Sequence, residues 1–157
     1  MDEILEKGPG EDIREYLIFT VDSIEFGIDI SLVQEIIEYQ EASSIPNMLD
    51  FCSGIINIRG TIVPVIDMRR KLGFEPRVYD DRACIIVIKL QSELVGMIVD
   101  GVQDVARIAP EQLSDSPAAR TKGEIKPFTS KIANINGKIK QIISVEAVFD
   151  VELEGEC

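Results

Sequence analysis

The chain has 157 residues, 45% hydrophobic and 28% charged, which suits one domain or two small subdomains around a common core and is too apolar for disorder. Its 28 acidic and 16 basic side chains give a net charge of −12, which repels phosphate backbones and anionic headgroups, so nucleic acid and membrane surfaces are poor partners. Histidine is absent, removing the commonest general base and the commonest transition-metal ligand.

Residues 1–14 read as a polar lead-in with a Gly8-Pro9-Gly10 break, lacking the basic and apolar regions of a signal peptide. Nowhere is there the run of about 18 apolar residues that inserts in a membrane. Tyr16 to Val21 is β-branched and aromatic and predicts a strand. Asp22-Ser23 offers a turn, and Glu25 to Ile30 predicts the returning strand. Ser31 with Gln34 matches a capping box. Leu32, Val33, Ile36 and Ile37 follow at helical spacing and predict two turns of helix. Ser43, Ser44 and Pro46 mark a loop from Gln40 to Asn47.

Two apolar runs, Gly54 to Gly60 and Thr61 to Asp67, meet at Arg59-Gly60 and predict strands joined by a tight turn. Pro64 cannot donate to a ladder and belongs at an edge or a bulge. Asp67 is placed to cap a short helix over Met68 to Leu72 that Gly73 ends. A charged loop, Arg77 to Arg82, precedes a hairpin of Ala83 to Leu90 and Leu94 to Asp100 turning at Gln91-Ser92-Glu93. Gly101 kinks the chain into a strand over Val102 to Ile108. Ala109 to Gly123 reads as a long surface loop. Ser130 to Ile135 and Lys138 to Ile143 flank Asn136-Gly137, a strong hairpin signal. A terminal helical turn over Ser144 to Phe149 follows, closing a domain over 15–150 ahead of an acidic tail, 151–157. About ten short strands with two or three brief helices indicate an all-β fold of two small barrels packed side by side, with a cleft between them as the natural binding site.

Cys52, Cys84 and Cys157 are odd in number and have no C-x-x-C spacing, so they read as reduced thiols. No metal site is expected from them. Nucleotide-binding and nucleophile-elbow motifs are missing, and Asp80-Asp81 reads as solvent-facing loop charge. Neither a catalytic residue nor a cofactor is therefore assigned. Arg59 is either exposed at its turn tip or paired with a carboxylate. Val33 and Ile36 read as core beside a solvent-facing Glu35. Gly54, Gly60, Gly96 and Gly101 lie within or beside strands, where bulges, corners and positive φ explain most glycines. Cys84 and Ile86 face one side of a strand and read either as core or as an exposed docking edge; the strand is apolar on both faces, which favours burial by fold and partner together.

In order and spacing these segments resemble the family of the chemotaxis coupling protein CheW. The resemblance runs through Tyr16 to Val21, Phe26 to Ile30, Val33 to Ile36, Ile45 to Asn47, Gly54 to Asp67 and Val95 to Val102. It implies two small SH3-like five-stranded barrels side by side. It also implies a non-catalytic cytoplasmic adaptor joining chemoreceptor tips to the regulatory domain of the histidine kinase CheA. By motif, Val33, Glu35, Gly54, Arg59 and Gly60 fall at the receptor groove between barrels, with Glu35 and Arg59 as an ion pair that fixes it. Cys84, Ile86 and Val102 fall at the kinase-binding surface. The alternatives are a small carboxylate-dependent enzyme with its cleft between the barrels and a β-barrel adaptor outside chemotaxis.

Overall fold

Period-two alternation over short β-branched runs dictates strands, and the computed structural model, which describes residues 13–43, 52–75, 77–115, 129–145 and 147–149, is built mainly of them. Among the described residues, one sheet has the order β8-β1-β2-β11-β10-β9. Its strands are β1 (Arg14–Val21), β2 (Ile24–Asp29), β8 (Gly101–Ile108), β9 (Leu113–Asp115), β10 (Thr129–Ile135) and β11 (Lys138–Ile143). A second sheet has the order β3-β6-β7-β5-β4. It comprises β3 (Val33–Glu38), β4 (Cys52–Ile58), β5 (Thr61–Asp67), β6 (Cys84–Leu90) and β7 (Glu93–Val99). The first sheet thus draws on both ends of the described chain and the second on its middle. The fold is all-β, with six strands in one sheet and five in the other.

Both sheets curl. In a flat first sheet β8 and β9 would stand about 24 Å apart, five steps of about 4.8 Å. Ile108 and Leu113 are consecutive strand ends joined by a 3-10 turn over Pro110–Gln112, a connection that reaches at most about 18 Å. In the second sheet, Ser43, just beyond β3, exchanges two 2.9 Å backbone hydrogen bonds with Ile55 of the opposite edge strand β4. This bridge also explains Pro64. Because Ile55 points its backbone groups at Ser43, its pairing with Pro64 needs no N–H from the proline. Pro64 therefore sits on the interior strand β5, one residue before β7 pairing begins at Val65.

The alternation sorts the apolar side chains into three cores. Tyr16, Ile18, Ile108, Ala133 and Ile142 fill the first sheet's interior. Ile56, Ile58, Val63, Val65, Ile85, Val87 and Ile98 fill the second. The opposite faces of β1 and β6, carrying Leu17, Phe19, Val21 and Ile86, Ile88, Leu90, meet in a shared core between the sheets. Met97, Val99 and Phe149 join that core, and Phe19 stacks on Phe26 at 5.8 Å between ring centroids. An apolar run with two buried faces, such as β6, is what a strand between two cores requires.

Several local expectations hold. Asp22-Ser23, Arg59-Gly60 and Asn136-Gly137 each place both central residues at positive φ, the primed geometry that suits two-residue hairpins. Asn57 Oδ1 accepts from Gly60 N–H and Asn134 Oδ1 from Gly137 N–H, both at 2.9 Å, so two of the turns share one side-chain clasp. Asp67 caps the short helix α1 (Met68–Lys71), accepting from Arg69 N–H at 3.0 Å. The hairpin of β6 and β7 turns on Gln91-Ser92, with Glu93 already paired to Leu90. Val148 N–H donates to Ser144 C=O at 3.0 Å in the terminal helical turn.

The helix expected from Ser31 does not form. A 3-10 turn over Ile30–Leu32, capped by Asp29, is followed by strand β3. Exposure alternates residue by residue from Val33 to Glu38, and Ile36 and Ile37 are β-branched residues that prefer a pleated partner. Pairing to β6 outweighed the helical spacing. The surface loop from Ala109 contains the 3-10 turn and β9, while 116–128 lies outside the described residues, as do 44–51 and the N- and C-terminal segments.

Candidate functional site

The first site is built on the β4–β5 turn. Arg59 sits at φ 48° and Gly60 at φ 90°, and a Cβ on Gly60 would meet nothing within 4 Å, so its glycine answers to backbone conformation and not to crowding. The turn aims the Arg59 guanidinium at β3, where it donates to Glu35 Oε1. A register shift between Val33 and Glu35 marks a bulge in β3, which re-aims side chains locally. Glu35 is three-quarters covered while Arg59 keeps 73% of its side chain exposed. The hydrogen bond and the charge of Glu35 hold the guanidinium's pKa above its ordinary value.

A recess of about 560 Å³ opens beside the pair, lined by Ile37, Glu38, Tyr39, Gln40, Asn57, Ile58 and Arg59. All its walls come from the second sheet and the segment leaving it. Of the remaining residues expected here, Val33 packs against the shared core and Gly54 is buried at φ 135°, beside a register shift in β4. Tyr39 and Asn57 were not singled out in the sequence; the repeated Asn-Ile-x-Gly pattern at 57–60 and 134–137 was a signal for the latter.

The second site lies where the sheets meet. A recess of about 580 Å³ is lined by Thr20 and Ser23 at the β1–β2 hairpin, by Cys84 on β6, by Val102 and Gln103 on β8, and by Arg69, Arg77, Asp80, Arg82, Asp100 and Gly101. Cys84 and Val102, expected at one surface, are brought together here from different sheets. Burial, and secondarily the charge of Glu38, pushes the Cys84 thiol pKa up. Ile86 is not part of this surface: it is fully buried in the shared core. Strand alternation does put it on the same face as Cys84, but only the end of that face reaches the opening.

The charge network behind this recess has no counterpart among the sequence expectations. Arg69, 7% exposed, donates through Nε and Nη2 to the two oxygens of Asp100 at 2.8 and 2.6 Å, a bidentate fork. Its Nη1 lies 3.5 Å from Asp22 Oδ1, which also accepts from Arg77. Asp100 Oδ2 accepts the Asp22 N–H at 2.7 Å. The guanidinium carbon stands 5.7 Å from the centre of the Tyr79 ring. Tyr79 in turn donates to Asp67 Oδ1 at 2.5 Å, and burial followed by that carboxylate drives its phenol pKa far up. In the sequence, Met68 to Leu72 reads only as a short helix capped by Asp67.

Two carboxylates line the recess, Asp100 and Asp80, and each has partners within the protein. Arg69 occupies both oxygens of Asp100. Asp80 accepts from the Arg82 backbone at 2.9 Å and faces the Arg82 guanidinium at 3.8 Å. Among the described residues, no helix is long and apolar enough to cross a membrane.

Residues 15–153 match the family model of the CheW-like domain. A protein named chemotaxis protein CheW from Klebsiella aerogenes is 42% identical over 114 residues, covering 72% of this chain and 69% of that protein. A probable chemotaxis protein CheW from Rhizobium etli is 32% identical over 144 residues, 92% of each chain. Among solved structures, the scaffolding protein TtCheW from Thermoanaerobacter tengcongensis superposes with a TM-score of 0.80 at 29% identity, covering 88% of this chain and 94% of that one. With two curled sheets around a shared core and a family match spanning nearly all the described residues, this chain belongs to the CheW-like family.

Proposed function

We propose that this protein is a non-catalytic scaffold of a chemotaxis signalling array that joins the cytoplasmic tip of a chemoreceptor to the regulatory domain of the histidine kinase CheA, within the cytoplasm. The observation that carries the reading is the likeness over 88% of the chain to a protein described as a scaffold, together with relatives named for chemotaxis. The geometry suits the task, because two separate recesses sit on one body whose sheets share a core. The receptor is assigned to the face carrying Val33, Glu35, Gly54, Arg59 and Gly60, and the kinase to the face carrying Cys84 and Val102. A scaffold transmits only by holding both partners in one geometry, so its output is a coupling free energy of about 1–3 kcal/mol between the sites.

The test is calorimetric titration with the CheA regulatory domain and with a receptor cytoplasmic fragment from the same organism, singly and together. Saturable binding of each near one to one, and a ternary complex, are expected. Competition between the two partners for one face would overturn the scaffold geometry, and failure to bind either would move the protein outside chemotaxis.

A further inference from the structure

We infer that Arg69 is a positioning residue: its guanidinium clasps the two sheets together and thereby sets the width of the recess between Cys84 and Val102. The inference rests on the reading of that recess as the kinase-facing surface. Its physical basis is independent of the partner.

Arg69 is anchored to the second sheet through α1, where its own N–H donates to Asp67 at the end of β5. Its side chain reaches Asp100, the residue between β7 of the second sheet and β8 of the first. It also faces Asp22, in the β1–β2 turn of the first sheet. The clasp is closed by backbone groups: the Asp22 N–H donates to Asp100, and the Asp100 N–H donates to Thr20 C=O at 2.9 Å. One buried cation therefore joins the second sheet, the crossover and the first sheet's hairpin turn.

Stability alone is a weak reason for such a group, since well-packed apolar residues often replace a buried ion pair without loss. Directionality is the stronger one. Apolar surfaces slide over one another, whereas a planar fork holding both oxygens of one carboxylate fixes an angle as well as a distance. Cys84 belongs to one sheet and Val102 to the other, and both line the recess whose back wall includes Arg69 and Asp100. Any play at the clasp therefore appears as play between these two side chains. The Glu35–Arg59 face lies within the second sheet and does not depend on it.

Arg69→Lys keeps the charge and removes the fork, which a single ammonium cannot reproduce. In the full-length protein, hydrogen exchange at the Asp22 and Asp100 amides should quicken. Affinity for the CheA regulatory domain should fall by about tenfold, while affinity for the receptor fragment stays within about twofold. A residue that only stabilised the fold would weaken both affinities in parallel, and that result overturns the inference, as would unchanged exchange at the two amides. Should Arg69→Lys fail to fold, Asp100→Asn decides, because it keeps the side chain's size and removes one of the fork's two acceptors: unchanged exchange at the Asp22 and Asp100 amides with unchanged kinase affinity overturns the clasp. If the wild type binds no kinase domain, the scaffold reading fails, and the exchange measurements still judge the clasp on their own.

Discussion

Glu35 and Arg59, 24 positions apart in sequence, are joined across the gap between β3 and the β4–β5 turn. The pair is half open: Glu35 is largely covered while Arg59 extends into water. An exposed ion pair adds little to stability, so its expected work is to orient charge on a surface.

Charge reversal tests that role. Glu35→Arg and Arg59→Glu should each lower affinity for a receptor fragment, on the order of tenfold, while leaving the melting temperature nearly unchanged. The double reversal should recover much of the loss. Equal binding by all four proteins would remove the pair from the receptor surface.

Ile86 and Cys84 should separate cleanly. Ile86→Ala opens a cavity in the shared core and is expected to cost about 2–5 kcal/mol in denaturant unfolding. Cys84→Ala and Val102→Ala, at partly open positions, should cost less and yet weaken kinase binding more per unit of lost stability. The check is to plot unfolding free energy against affinity for the three variants.

Glycines at 96 and 60 should fail for different reasons. A Cβ at Gly96 would stand 2.8 Å from Val65 Cγ1 and 3.0 Å from Ile85 Cγ2, so Gly96→Ala should overpack the second sheet's core and cost about 1–3 kcal/mol. Gly60→Ala meets no neighbour and pays only for its left-handed backbone, about 1–2 kcal/mol. A small shift of the methyl resonances of Val65 and Ile85 only in the first variant would distinguish crowding from strain.

All three tyrosines, Tyr16, Tyr39 and Tyr79, have phenol pKa values raised above 10.0, chiefly by burial. In the unfolded chain they ionise near 10.0, so the stabilisation is complete below that pH and is lost as pH rises toward the folded values. Tyrosinate absorbance should therefore appear together with alkaline unfolding. A phenol titrating near pH 10 in still-folded protein would contradict this.

At the acid end, Glu25 on β2 accepts from Lys140 on β11, 115 positions away, and that hydrogen bond is the main cause holding its carboxyl below 4.5. The contribution is present above the unfolded pKa and disappears as pH falls through the lower folded value. The melting-temperature difference between wild type and Lys140→Ala should be greatest near neutrality and shrink below pH 4.5. A pH-independent difference would assign the effect of Lys140 to packing.

What the sequence determined by itself was local. Asn136-Gly137 and Arg59-Gly60 demand positive φ, Asp67 can satisfy the first amides of α1, and alternation writes most strands directly into the order of side chains. Their succession was also enough to expose the family resemblance and, through it, the Glu35–Arg59 pairing. Tertiary structure decided what local rules leave equal. Val33 to Ile37 fits a helical period as well as a pleat, and only the presence of β6 alongside selects the strand. Both faces of β6 are apolar, so nothing local says that Ile86 is sealed between sheets while Cys84 reaches an opening. Arg69, Asp100 and Asp22 read separately as part of a short helix, the end of a strand and a turn residue. Their meeting depends on the crossover from one sheet to the other, because a charge finds its partner in space, and spatial neighbours 31 and 78 residues apart leave no periodic trace in the chain.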